Sequence, residues 1–328
     1  MTQAIRFHTL GGPEVLTVEE VSIREPGQDE VALKVEAVGL NRAESMYFHG
    51  QYLEQPQLPA GLGYEAVGVV TAVGPGGDSS LVGQKFGTIP GYSMNQYPVL
   101  AGEAVVPVSV LAALPPGLSA VEGAAVWMQY CTAYGALVPL GHVGPGDFVI
   151  ITAASSSVGL AAIQIAKAEG GTAIATTRTS AKKQQLLDLG ADYVIATQEE
   201  DLPARVAEIT GGKGARVIFD AVGGEYVSTL AQAAAPEGTI YLYGLLSGQP
   251  TPYPVMGFMK AVALTGYTFN VLRNTPERWE AMKTYIYNKL ADGTFKPKVD
   301  RVFPLAEAAD AYRHLESNTQ VGKIVITV

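Results

Sequence analysis

The stretch "TAASSSVGLAA" at 152–162 follows the apolar run "FVII" and opens a helical pattern. A dinucleotide-binding turn reads GxGxxG at such a place. Its first glycine allows the tight turn, the second lets a pyrophosphate approach, and the third lets helix and strand pack closely. Laid on that pattern, the three positions here are Ala154, Ser156 and Gly159, so only the last glycine survives. Ser155, Ser156 and Ser157 offer hydroxyls where a helix N-terminus also presents free N–H groups and the positive end of its dipole. The same serines suit an ordinary helix start, because serine is a good N-cap. The turn alone leaves both readings open.

The end of the next strand adds a second signal. NAD sites carry an acidic residue about 20 positions after the turn, on the ribose 2′-hydroxyl. Here that place reads Thr176, Thr177, Arg178, Thr179 and Ser180, followed by Lys182 and Lys183, with no carboxylate. Hydroxyls and cations suit a 2′-phosphate through charge-assisted hydrogen bonds. A solvated helix start with surface lysines is the competing reading. Turn and strand end together point to NADPH.

These residues need a frame. From about residue 120 the chain alternates strand and helix patterns: "DFVIITA", "SVGLAAIQIAKAEG", "TAIATT", "SAKKQQLLDLG", "DYVIAT", "LPARVAEITGG", "ARVIFDAVG", "EYVSTLAQAAAPEG" and "TIYLYGLL". Several strands are nearly continuous apolar runs, as in parallel sheets covered on both faces. The alternation predicts an α/β doubly wound parallel sheet over 122–265, with ligands at the carboxyl ends of its strands. Ser119 and Glu122 form a capping-box signature at its entry. The first third is strand-rich and Gly-punctuated, with "VALKVEAVGL" and "EAVGVVTAVG" as its clearest strands. After the helical "ERWEAMKTYIYNKLADG", the closing "SNTQVGKIVITV" reads as a strand that rejoins the first domain. The predicted division is 1–121 with 266–328, and 122–265.

Composition sets outer bounds. The 328 residues are 48% hydrophobic and 16% charged, with a formal net charge of −9. A globular chain with a large core fits these numbers. An acidic balance argues against nucleic acid as a partner, because phosphate binding needs a concentrated positive face. The one cysteine, Cys131, excludes an intrachain disulfide and a cysteine-rich metal site, which suits a reducing, cytoplasmic setting. The first residues hold no apolar signal core, and no apolar run is long enough to span a membrane.

Five stretches, "GLNRAESMYFHGQY", "PAGLGYEAVGVVTAVGPG", "PGDFVIITAASSSVGLAAIQIAKAEG", "FDAVGG" and "ESNTQVGKIVITV", carry a family likeness in order and spacing. The chain resembles the medium-chain dehydrogenase/reductase superfamily, in its zinc-independent quinone oxidoreductase branch, over essentially its whole length. The resemblance implies a β-rich GroES-like catalytic domain and an inserted Rossmann domain. Zinc-dependent relatives carry metal ligands where this chain has Asn41, Tyr64 (in "GYE") and a residue near Met128. Asparagine, tyrosine and thioether sulfur are poor zinc donors, and the four histidines show no ligand spacing, so no metal is expected.

The resemblance also implies the site. Asn41, Tyr52 and Tyr64 are the candidate catalytic residues: the Asn41 amide is expected to donate to a substrate oxygen, Tyr52 and Tyr64 to face the same pocket, and a tyrosine or water to supply the proton. The expected cofactor contacts are Thr132, Ser155, Ser156, Ser157, Val158, Gly159, Thr177, Arg178, Lys182, Val222, Gly223, Gly244, Leu245, Phe269, Asn270, Asn318 and Lys323. Without a Lewis acid, a plain ketone or alcohol is a difficult substrate, whereas a quinone or activated alkene moves charge to an oxygen that hydrogen-bond donors can stabilise. The expected function is NADPH-dependent hydride transfer to quinones or α,β-unsaturated carbonyls. An enoyl-thioester reductase and a non-catalytic NADPH-binding protein are the alternatives. A homodimer is expected through "VALTGYTF", read as an edge strand. No nucleic-acid or membrane partner is expected.

Overall fold

Six short strands form one parallel sheet in the spatial order Tyr193–Ala196, Thr172–Thr177, Phe148–Ile151, Ala215–Asp220, Ala234–Leu242 and Ala263–Gly266. In chain order this is 3-2-1-4-5-6, the doubly wound arrangement, and its strand order reverses between Phe148–Ile151 and Ala215–Asp220. The apolar runs explain the burial. Ile174, Ile150, Ile218 and Ile240 lie in register across four neighbouring strands, all fully buried. They join Leu202, Val206, Val227 and Leu230 from two helices in one core.

This computed structural model describes residues Met1–Val328. Its backbone divides into Met1–Met128 with Lys296–Val328, and Gln129–Phe295. Residues 266–295, expected with the first domain, lie in the second unit; they include the helix Pro276–Ala291, which buries Met282, Ile286 and Leu290. A second difference concerns "EYVSTLAQAAAPEG". Its helix stops at Ala233, and Ala234 already pairs with Ala215 in the sheet. Pro236 cannot continue a helix, so strand pairing overrides the alanine-rich composition.

The first unit is built on antiparallel strands. Glu30–Gly39 pairs with Glu65–Val73 on one side and with both Lys323–Thr327 and Glu103–Pro107 along the other. Val325, Ile326 and Thr327 oppose Gly39, Val38 and Ala37, so the C-terminal strand joins this sheet. A smaller sheet holds Thr17–Val21, Thr2–Phe7 and Ala60–Gly61. The expected capping box is present: the Glu122 N–H donates to Ser119 Oγ at 3.2 Å, and the Ser119 N–H donates to Glu122 Oε2 at 2.9 Å. No helix is long and apolar enough to cross a membrane.

Gly39 sits where three elements converge. A Cβ there would lie 1.9 Å from the Ala124 carbonyl oxygen and 2.7 Å from Lys323 Cε. The backbone oxygen cannot step aside without moving the helix Ala120–Gly123. Gly39→Ala is therefore expected to destabilise the protein by about 2–3 kcal/mol through overpacking. Chemical denaturation checks this; an unchanged midpoint would show that the helix shifts freely.

Candidate functional site

In the second unit, the turn after Phe148–Ile151 stands at the switch point of the sheet. Its left-handed residue is Ala153, with φ of 46°, one position before the Ala154 expected from the six-residue spacing. Alanine tolerates this region at some cost, which is the place a glycine would relieve. Gly159 keeps the close helix approach: a Cβ there would lie 2.6 Å from both Cα and O of Ala154. Ser156 is the N-cap of the helix Ser157–Ala168, and its Oγ accepts from the Gly159 N–H at 3.1 Å. Ser155, Ser157 and Val158 are half-buried at the same turn.

A buried clasp sets this turn against its neighbour across the switch point. Thr152 Oγ1 donates to Asp220 Oδ1 at 2.7 Å and accepts from the Ala221 N–H at 2.9 Å. Asp220 also accepts from the N–H groups of Val222 and Gly223, each at 3.0 Å. Their backbone donors are thus turned inward, so any cofactor contact from Val222 and Gly223 would come from carbonyls or the Val222 side chain. Gly244 faces Ala221, whose carbonyl oxygen would lie 2.8 Å from an added Cβ. Asp220 and Thr152 are not among the expected site residues, although both stand at strand ends.

At the end of Thr172–Thr177, Arg178 is exposed, and Lys182 donates to Ser155 Oγ at 3.2 Å. This bond unites the serine turn with the cationic strand end, 27 residues apart. One carboxylate that the local sequence lacks comes from the adjacent strand end: Glu199 Oε1 accepts from the Ser180 N–H at 2.9 Å. Thr177 presents its carbonyl to the Thr197 N–H at 2.8 Å. Elsewhere in this unit Thr132 and Phe269 are buried, whereas Leu245 and Asn270 are exposed. Serine hydroxyls, a free helix start and nearby cations at a switch point fit a phosphorylated dinucleotide.

In the first unit the expected catalytic residues fall into two groups. Asn41 is committed inward. Its Nδ2 donates to the Gly39 carbonyl at 3.0 Å and to Glu44 Oε1 at 3.3 Å, and its Oδ1 accepts from Lys323 Nζ at 2.6 Å. Its amide hydrogens are therefore spent, which departs from its expected role as a substrate donor. Lys323, expected at the cofactor, is 1% exposed and also donates to Glu65 Oε2 at 2.7 Å. Asn318, expected beside it, accepts from Arg42 Nη2 at 2.6 Å through Oδ1. All three side chains have hydrogen-bond partners within the first unit.

The same cluster bears on zinc. Lys323 places an ammonium between Asn41 and Glu65, and Glu65 Oε1 takes the Met128 N–H at 3.2 Å. No group of three or more histidine, cysteine or carboxylate side chains is arranged to hold a metal. An amide, a phenol and a cation do not fit Zn²⁺. Glu44, fully buried, accepts from the Asn41 N–H, the Tyr64 N–H and the Tyr312 hydroxyl at 2.8, 3.0 and 2.9 Å. Burial pushes its carboxyl up, against the pull of those donors and of Lys323.

Tyr52 and Tyr64 form the other group. Their rings meet edge-on at 6.1 Å, and Tyr64 meets Tyr92 at 5.8 Å. Burial raises both phenols above their ordinary range, Tyr64 the further of the two. The hydrogen bond that Tyr64 gives to Tyr52 pulls Tyr52 down and raises Tyr64 further. Tyr64 is buried and Tyr52 half-open, so Tyr52 is the phenol that can offer its proton outward as a hydrogen bond.

Two family models match this chain: the alcohol dehydrogenase GroES-like domain over residues 27–134, and zinc-binding dehydrogenase over 157–285. The chain is 32% identical to a quinone oxidoreductase of Pseudomonas aeruginosa over 99% of both chains. It is 31% identical to part of a phenolphthiocerol/phthiocerol polyketide synthase of Mycobacterium tuberculosis, covering 97% of this chain and 14% of that one. The Escherichia coli quinone oxidoreductase structure complexed with NADPH superimposes with a TM-score of 0.91 at 30% identity, covering 99% of this chain and all of the other. Strand order, the serine turn and these full-length likenesses agree, and the chain belongs to the medium-chain dehydrogenase/reductase superfamily, in its quinone oxidoreductase-like branch.

Proposed function

We propose that this protein is an NADPH-dependent, zinc-independent reductase of quinones or α,β-unsaturated carbonyls. The bond from Lys182 to Ser155 carries the cofactor half of this reading, because it joins the serine turn to the cationic strand end. When bound, the nicotinamide cofactor supplies a hydride. Ser155, Ser156 and the start of the helix Ser157–Ala168 hold the pyrophosphate, and Arg178 with Lys182 holds the 2′-phosphate. Names of the relatives support an oxidoreductase that uses NADPH.

The acceptor half rests on Tyr52. Its hydroxyl donates to the acceptor oxygen, where negative charge develops as hydride arrives at a conjugated carbon. Tyr52 or water supplies the one proton that completes the two-electron reduction. An enoyl-thioester reductase is the second reading, favoured by the likeness to a polyketide synthase segment.

The partner in this reading is a second copy of the chain. The strand Ala263–Gly266 pairs only with Ala234–Leu242 and ends the sheet. Beside it in the chain, Val255, Phe258 and Met259 are 68%, 66% and 87% exposed. An open edge next to bare apolar side chains favours pairing about a two-fold axis.

Three outcomes are expected. Arg178→Ala with Lys182→Ala weakens NADPH binding by about 10–100-fold while NADH binding changes little, measured by fluorescence titration; equal weakening of both would remove the 2′-phosphate assignment. Tyr52→Phe lowers kcat on quinones and enones by about 100-fold with NADPH affinity unchanged. A parent protein that oxidises NADPH only with enoyl thioesters would select the second reading, and one silent on every acceptor would reject catalysis. Sedimentation shows a dimer for the parent and a monomer for Phe258→Asp with Met259→Asp; a monomeric parent refutes the pairing.

A further inference from the structure

The segment that carries Tyr52 has little backbone structure of its own. Gln51 N–H donates to the Met46 carbonyl at 2.8 Å, and residues 52–59 then run largely exposed to the strand Ala60–Gly61. Besides Arg6, whose Nη2 donates to the Pro59 carbonyl at 2.8 Å, a pair of polar side chains holds this segment. Glu54 Oε1 accepts from Ser93 Oγ in a short bond and from Asn95 Nδ2 at 3.0 Å, while Oε2 accepts from the Met94 N–H at 3.1 Å. Asn95 completes the set. Its Nδ2 donates to the Gln55 carbonyl at 3.0 Å, and its Oδ1 accepts from the Gln57 N–H and the Tyr47 hydroxyl, each at 2.7 Å. Gln55 Nε2 then donates to the carbonyl of Tyr52 itself at 3.0 Å.

The bonds made by the Glu54 and Asn95 side chains all run between 47–57 and 93–95, so loss of either side chain unfastens the loop at several points. Two half-buried polar residues committed to one loop are more than that loop needs to stay soluble. Of the loop's apolar residues, Leu53 and Leu58 are 88% and 45% exposed, whereas Tyr52 packs against the core of the first unit. The polar staple fixes the chain directly after Tyr52 and so acts together with that packing on the geometry of its contact with Tyr64. The Glu54 charge also lies near enough to help keep the Tyr47 and Tyr64 phenols protonated, behind the larger effect of burial.

We infer that Glu54 and Asn95 are positioning residues that act through Tyr52, holding its loop so that the Tyr52 hydroxyl is aimed at the acceptor oxygen. This rests on the role proposed for Tyr52. Neither residue is assigned a contact with the acceptor or the cofactor, and nothing about the turn 152–159 should change when they are removed.

The test uses the full-length protein with Glu54→Ala and, separately, Asn95→Ala, each alone and combined with Tyr52→Phe. Hydrogen exchange of the peptide spanning 49–59 is expected to speed up in both variants, with NADPH affinity and the thermal midpoint near the parent values. Turnover of a quinone or enone should fall about tenfold in kcat/KM, as expected for a misplaced donor. On the Tyr52→Phe background the same substitutions should cost almost nothing further, because the group they aim is gone. Unchanged exchange in both variants overturns the staple. Additive losses on the Tyr52→Phe background overturn its action through Tyr52, as a purely structural role would give. If the parent reduces none of the acceptors, the functional reading fails, and the exchange measurement still decides the staple.

Discussion

A buried ammonium is the constraint on which the first unit depends. Lys323 is enclosed, and a lone cation in that place would be costly, so the chain must bring it partners. It does so from two separate stretches: Asn41 ahead of the helix Arg42–Phe48 and Glu65 at the start of a strand, both meeting Lys323 at the start of the last strand. Glu44 adds a second buried carboxylate, tied to Tyr64 and Tyr312. Gly39 packs tightly against the Lys323 side chain and the Ala124 carbonyl beside this network. The position of Tyr64 follows from this network rather than from local preference, because Glu44 holds its backbone N–H.

The second unit solves a similar problem with a carboxylate. Asp220 sits at the end of a parallel strand with no exposed surface. It accepts from Thr152, Val222 and Gly223, and Thr152 in turn accepts from Ala221, so both elements of the switch point are tied in. The two turns that flank the switch point are thereby locked to each other. A phosphate-binding turn gains from such rigidity, because preorganised donors need not be ordered at the moment of binding. Serines in place of glycines fit the same logic. Ser156 caps the helix start, and Ser155 is held by Lys182.

Much of the frame was legible in the residues. Apolar runs of four to six residues separated by helical patterns are enough to announce a parallel sheet, and Ser119 with Glu122 announces its helix start. The strand order, by contrast, is set by crossover packing, which no local pattern encodes. The helix that ends at Ala233 shows the limit at the scale of one turn, since alanine propensity lost to sheet pairing with Ala215. The turn spacing shows it again: glycine spacing pointed to Ala154, whereas backbone geometry makes Ala153 the left-handed residue.

For the site, the sequence by itself determined which chemistries were available. It placed hydroxyls and cations at two strand ends, withheld zinc-type donors at 41 and 64, and supplied tyrosines near both. Only the tertiary structure decided which of those groups are already committed. Asn41, Asn318 and Lys323 were expected as ligand contacts from the family resemblance, yet their polar atoms are engaged by partners as many as 282 residues away. The same long-range pairing brought in residues no local reading singled out, namely Glu44, Glu54, Asn95, Glu199 and Asp220. The physical reason is that a polar group's role depends on whether its hydrogen bonds are already satisfied, and satisfaction is a property of the folded neighbourhood.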